Sequence, residues 1–247
     1  MLAGLLVVLV ASPPGTAAVP GPIHAGNTYG WYYKNNVERH EFHGRLPAYW
    51  HRHGAGDVRD QHGMITLETH KGSLQATLTG HSHTTGRWEV RLRSRAYQRQ
   101  YADYSVVTEL VPAKGPQHCG AQDVGLESYR TGHKLARMYD HTLTSNNFHA
   151  SKGMRLHNDQ WHTFAVEVTH THISWFVDAH VVRTERRPAA LAGVPMKFRF
   201  ALEGTPGKRM NQTRLQADWM RYWTYNRPST KSIKAPEMHK GTYRKAC

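Results

Sequence analysis

The chain has 247 residues, and 32 Lys and Arg against 18 Asp and Glu give it a formal charge of +14. That length holds one large β domain or two small ones, and beyond a short N-terminal run no segment approaches the ~20 apolar residues of a membrane-spanning helix. The charge suits a polyanion such as an acidic wall polymer, an acidic polysaccharide or an anionic membrane surface, or else it is a solvated basic surface. With no recognisable nucleic-acid motif, nucleic acid is set aside.

Residues 1–18 read as a secretory signal. Leu2 to Ala11 is apolar, and Thr16-Ala17-Ala18 offers small residues for cleavage. The competing assignment is a buried N-terminal strand, broken by Ser12-Pro13-Pro14-Gly15. Export to a secreted or envelope location allows a disulfide between Cys119 and Cys247, tying the tail to the body; two unpaired thiols are the alternative. Residues 19–39 form a polar, Gly-rich extension in which Trp31-Tyr32-Tyr33 can pack on the domain edge.

From residue 40 to 225 the pattern is alternation, not helical periodicity. Trp88, Val90 and Leu92 alternate with Glu89, Arg91 and Arg93. Phe164, Val166 and Val168 follow the same rule, as do Ile173, Trp175 and Val177, and Met196, Phe198, Phe200 and Leu202. Gly, Asn, Asp and Pro clusters separate the runs. Many short strands with turn punctuation predict a single all-β domain, an antiparallel sandwich or barrel. Residues 226–247, with Pro228 and Pro236, read as a basic, irregular, exposed tail.

Within the domain, Asp123-Val-Gly-Leu-Glu127 places two acids on one strand face while Val124 and Leu126 face a core. Two acids facing a groove are what glycoside hydrolysis uses, one protonating the leaving oxygen and one attacking the sugar or activating water.

Several segments, in order across about 180 residues, resemble glycoside hydrolase family 16. They are Phe42-His43-Gly44 with Trp50, Gly63-Met-Ile-Thr-Leu67, Gly86-Arg-Trp-Glu-Val-Arg-Leu-Arg93, Asp159-Gln-Trp-His-Thr-Phe-Ala-Val-Glu167, Trp175-Phe-Val-Asp178 and Asp218-Trp-Met-Arg-Tyr222. The resemblance implies a concanavalin-like jelly roll of two curved antiparallel sheets with a glycan cleft on the concave face. It implies hydrolysis of, or binding to, a β-linked extracellular polysaccharide by a monomer needing no cofactor. A noncatalytic glycan-binding or envelope protein on the same framework is the alternative.

The family carries E-x-D-x-E, or E-x-D-x-x-E with a bulge: nucleophile, supporting Asp, acid/base. With Asp123 on the family's Asp, the nucleophile position is Ala121. With Glu127 ending the unbulged form, Asp123 takes the nucleophile position and Gly125 the supporting one. With Glu127 ending the bulged form, Gln122 is the nucleophile position. Glu127 is the acid/base in two of the three, so Glu127 and Asp123 are the candidate catalytic pair. Four residues of strand separate their Cα atoms by roughly 13 Å. That spacing suits a wide inverting pair, with carboxyls about 6.5–9.5 Å apart, better than a retaining pair at about 5–5.5 Å.

Leu135 to His141 is the expected neighbouring strand, with Arg137, Tyr139 and His141 on one face as sugar contacts. Arg199 and Glu203 on the 196–203 strand have the same role, and Tyr129 is placed to stack on a sugar ring. Trp161, Trp175, Trp219 and Trp223 read as framework. His51/His53, His81/His83 and His170/His172 each put two imidazoles on one strand face, but two ligands without a third make no metal site, so no metal is expected.

Overall fold

The computed structural model describes residues 23–115, 122–142, 146–156, 159–191 and 193–242. The proposed signal, Cys119 and Cys247 lie outside the described residues.

After a single helical turn, α1 (Ala25–Thr28), the described chain is almost entirely β. In order come β1 (Val37–His40), β2 (Trp50–Gly54), β3 (Asp57–Asp60), β4 (Ile65–Thr69), β5 (Leu74–Leu78), β6 (Gly86–Tyr97), β7 (Ser105–Pro112) and β8 (Asp123–Arg130). Next are β9 (Leu135–His141), β10 (Asn146–Gly153), β11 (His162–Val168), β12 (Ile173–Val177), β13 (His180–Glu185), β14 (Met196–Glu203), β15 (Gln212–Trp223) and β16 (His239–Thr242). The first sheet runs β13-β12-β11-β6-β15-β4-β3, with β1 also on β15; the second runs β16-β10-β9-β8-β7-β14-β5-β2. All pairs between these strands are antiparallel, giving the antiparallel sandwich expected from the alternation in the two-sheet jelly-roll form that the resemblance implies.

The alternating apolar sets meet between the sheets. Trp88, Val90 and Leu92 of β6 join Phe164, Val166, Trp175 and Val177 in one cluster with Phe198, Phe200 and Leu202 of β14. The outer face of the first sheet is covered too. Ala25, Tyr29 and Trp31 form a second apolar cluster with Ala165, Phe176 and Trp223. The N-terminal extension is therefore part of the folded body, with Trp31 fully buried and Tyr33 exposed. The tail departs from the irregular course expected of it. Residues 239–242 add β16 to the edge of the second sheet, and Met238 is buried.

Trp161 departs from its framework assignment. Its ring lies between the guanidiniums of Arg91 and Arg93, at 4.6 and 4.5 Å, on the outer face of the first sheet. Among the described residues no helix is long and apolar enough to cross a membrane.

Glu89 faces the outer cluster, and its carboxylate accepts the backbone N–H groups of Ala25 and Gly26. Burial raises its pKa from 4.5 to about 7, against the opposing pull of those two N–H groups. The folded state thus retains a proton there between about pH 4.5 and 7, and stability falls as pH rises through that window. At 1.36 kcal/mol per unit, the loss is about 3 kcal/mol at most. Glu89→Gln removes this part of the slope, which urea unfolding of both proteins at pH 5 and pH 8 measures.

Candidate functional site

The open face of the second sheet is built from the strand positions that do not enter the core. Antiparallel register partners share a face. Gly125 of β8 is opposite Glu109 of β7 and Tyr139 of β9. Asp123 is opposite His141, and Ser128 is opposite Val107 and Arg137. Val124, by contrast, pairs with core Leu110.

Between Gly125 and Ser128 the register shifts against both neighbours, a β-bulge with one extra residue. The extra residue reverses the parity of everything after it. Leu126 stays in the core, and Glu127 falls opposite Thr108, which lies between the core residues Val106 and Leu110 of β7. Glu127 is fully buried. Burial drives its pKa well above the carboxylate range, Glu109 adds repulsion, and the nearby Thr108 hydroxyl opposes the shift.

The expectation that Asp123 and Glu127 share one face is thereby corrected, because the i, i+4 parity of a regular strand does not hold across a bulge. The positions on the face turned away from the core are Asp123, Gly125 and Ser128, of which Asp123 is fully buried and Ser128 half-buried. Their spacing is that of the bulged motif E-x-D-x-x-E, in a register that none of the three sequence alignments used. On that spacing Asp123, Gly125 and Ser128 fall at the first, second and third positions of the pattern.

Gly125 is glycine because Tyr139 lies on it. A Cβ there would sit 2.3–2.6 Å from three atoms of the Tyr139 ring. That ring fills the space of a supporting carboxylate and stacks on His141, with centroids 4.5 Å apart. The Tyr139 hydroxyl donates to Glu109 Oε2 at 2.6 Å. Arg199 donates from Nε to Glu109 Oε1 at 3.0 Å and again from Nη2. Its Nη1 reaches Gln75 Oε1 at 3.3 Å. Burial and the Glu109 charge push the Tyr139 pKa well above its ordinary value. Burial alone would lower the Arg199 pKa, but the Glu109 carboxylate more than offsets it and the pKa rises. Glu109 was missed from sequence. Its only signal was a lone acid in the apolar run Val106 to Val111.

The remaining candidates divide between the two sides of the sheet. Arg137, Tyr139 and His141 line one depression with Ser128, Asn147 and His149. Arg137 and Ser128 continue into a second with Ser105 and His133. Glu203 lines a third with His53 and Gln75. Tyr129 does not stack on an open platform: its ring is in the core and its hydroxyl donates to Ser94 Oγ at 2.8 Å, across the sandwich.

Chemically, the trough presents hydroxyl, amide, imidazole and guanidinium groups suited to a polyol. A retaining mechanism needs two carboxyls about 5–5.5 Å apart. Ser128 supplies a hydroxyl and no carboxyl, and Glu109 is already bonded by Arg199 and Tyr139.

Solved structures share this fold. The catalytic domain of an endo-1,3-beta-glucanase (laminarinase) from Thermotoga petrophila superposes over 78% of this chain and 100% of its own, with TM-score 0.63 and 11% identity. The laminarinase from Rhodothermus marinus covers 77% of this chain and 98% of its own, with TM-score 0.62 and 16% identity. SCLam, a non-specific endo-beta-1,3(4)-glucanase from family GH16, covers 78% and 92%, with TM-score 0.65 and 13% identity. No family model matches the sequence, and no curated protein is similar to it in sequence.

Two substitutions test the geometry. Arg199→Met strands the Glu109 charge in the sheet and lowers unfolding free energy by about 3–5 kcal/mol in denaturant titration. Gly125→Ala costs about 1–3 kcal/mol by overpacking against Tyr139. In the Tyr139→Ala background the same change costs less than half as much, which a double-mutant cycle measures.

Proposed function

We propose that this protein is a secreted, monomeric glycan-binding protein on a family 16-like jelly roll, holding a β-linked extracellular polysaccharide along the trough of the second sheet without cleaving it. The observation that carries this is Tyr139 seated over Gly125 between Asp123 and Ser128 on one face, a trio that reads as the family's three motif positions with only one carboxylate among them. One carboxylate and one hydroxyl at those positions do not make the acid and nucleophile of a double displacement. Polar side chains lining the depressions, among them Arg137, Asn147 and His149, support hydrogen bonding to sugar hydroxyls. The glucanase neighbours favour a β-1,3- or mixed-linkage glucan. The charge of +14 supports a location beside acidic wall polymers.

Hydrolysis is the second reading, favoured by the register pairing of the buried Asp123 with His141 on the face turned away from the core. In it, Asp123 activates water or attacks the sugar while His141 carries the proton.

Affinity electrophoresis and reducing-sugar release on a β-glucan panel separate the two. Binding is expected to retard the protein with no new reducing ends. Arg137→Ala weakens retardation about tenfold, the order of one charge-assisted hydrogen bond. Glu127→Gln leaves retardation unchanged. Product release abolished by Asp123→Asn would establish hydrolysis instead. Retention that responds to salt and not to sugar would reassign the surface to polyanion binding.

A further inference from the structure

His81 and His83 lie on the loop between β5 and β6, and the chain around them supplies no third ligand. The fold supplies two. Glu38 and His40 stand two residues apart on β1 and share a face, since they pair with Tyr222 and Met220 of β15. This brings the edge strand of the first sheet against the loop that leaves the second. One donor atom each from Glu38, His40 and His81 lies within 4.8 Å of the other two. Glu38 Oε2 is hydrogen-bonded to His81 Nδ1 at 3.0 Å, and Glu38 Oε1 lies 2.9 Å from His83 Nε2 without hydrogen-bond geometry.

Hydrogen bonding within the cluster accounts for Glu38 and His81. It does not account for His40. That side chain is 6% exposed, and neither ring nitrogen has a hydrogen-bond partner among the described residues. Its ring is held edge-on by Tyr49 and Trp50, with centroids at 5.7 and 5.9 Å, and meets His81 at 5.4 Å. A buried imidazole without a partner is costly, and such orphans call for an absent one.

The donor set is imidazole and carboxylate. That combination suits zinc, nickel, copper or cobalt rather than calcium or magnesium, which take oxygen ligands. Zinc–ligand bonds of about 2.0–2.1 Å place ligand atoms roughly 3.3 Å apart in a tetrahedron. Small side-chain rotations of the half-buried Glu38 and His81 reach that spacing. His83 is fixed for an orienting role. Its backbone exchanges two 3.0 Å hydrogen bonds with Met196, and its ring stacks on Tyr222 with centroids 3.7 Å apart. His40 also borders an open pocket with Phe42, Tyr49 and Trp50, which gives an ion a way in.

We propose that Glu38, His40 and His81 bind one divalent transition-metal ion of the zinc type, with His83 orienting Glu38 through its second oxygen. The ion staples β1 to the β5–β6 loop and closes this end of the sandwich.

The test uses the full chain, untagged and stripped with chelator, titrated with zinc chloride against a chromophoric competitor and melted with and without zinc. Wild type is expected to bind one equivalent tightly and to melt higher with zinc. His81→Ala and Glu38→Gln each weaken that equivalent at least a hundredfold, and His83→Ala weakens it ten- to a hundredfold. Calcium and magnesium leave the melting temperature unchanged. His81 is half-buried on a loop, so His81→Ala keeps the wild-type metal-free melting temperature within a few degrees; that measurement separates loss of the site from loss of the fold. Equal zinc affinity in wild type and His81→Ala overturns the proposal, because the other histidines would then be responsible. Failure of wild type to bind zinc overturns it as well.

Discussion

A single inserted residue in β8 decides what the open face of this protein presents. In a regular strand, parity is fixed along the whole length, and Glu127 would follow Asp123 and Gly125 outward. The bulge between Gly125 and Ser128 breaks that rule once, after which every side chain is re-aimed. The strand is held in this form from both sides. From below, Trp175 Nε1 of the opposite sheet donates to the Gly125 carbonyl at 3.0 Å. From above, Tyr139 occupies the space a side chain at 125 would need. Leu126 anchors the turn of the bulge in the core. A substitution at 125 therefore acts on the sheet and on the trough together.

The buried acids show three different solutions to one electrostatic problem. Taking a carboxylate out of water is costly unless it is neutralised, paired or hydrogen-bonded. Glu127 and Asp140 take the first route, and burial raises both pKa values well above the carboxylate range. Glu109, Glu167 and Glu185 take the second, with Arg199, Arg87 and Arg187 as partners. Glu89 takes the third, capped by two backbone N–H groups. Arg87 is fully buried and Arg199 nearly so, and each is matched by one buried acid, so these pairs hold none of the excess positive charge.

The framework was legible because its signals are local. Alternation in β6, β11, β12 and β14 needs only neighbours two apart, and each of those runs entered the core as read. The strand from Leu135 to His141 and its outward Arg137, Tyr139 and His141 were legible for the same reason. What failed depended on pairing. The bulge has no signature in Asp123-Val-Gly-Leu-Glu-Ser128 alone, since Leu126 and Glu127 alternate as a plain strand would. Tyr129 looked like a strand-end aromatic until its partner Ser94 appeared on the other sheet. Glu109 and Arg199 lie 90 residues apart, and only strand order makes them neighbours. His40 and His81 are brought together in the same way.

A sandwich divides packing from chemistry by strand parity. Inward positions carry the packing, so their replacement is felt across both sheets. The face turned away from the core carries the polar groups, and at Glu109, Arg199 and Tyr139 these are bonded to one another, so a change there is felt in the sheet as well. Asp123, Gly125 and Ser128 share the face turned away from the core, and the strands around them keep the register of the jelly roll. The same parity also fixes Glu127. Once the bulge turns it inward, it is governed by the rules of the interior, where burial raises its pKa well above the carboxylate range and removes it from the face that Ser128 and Arg137 share.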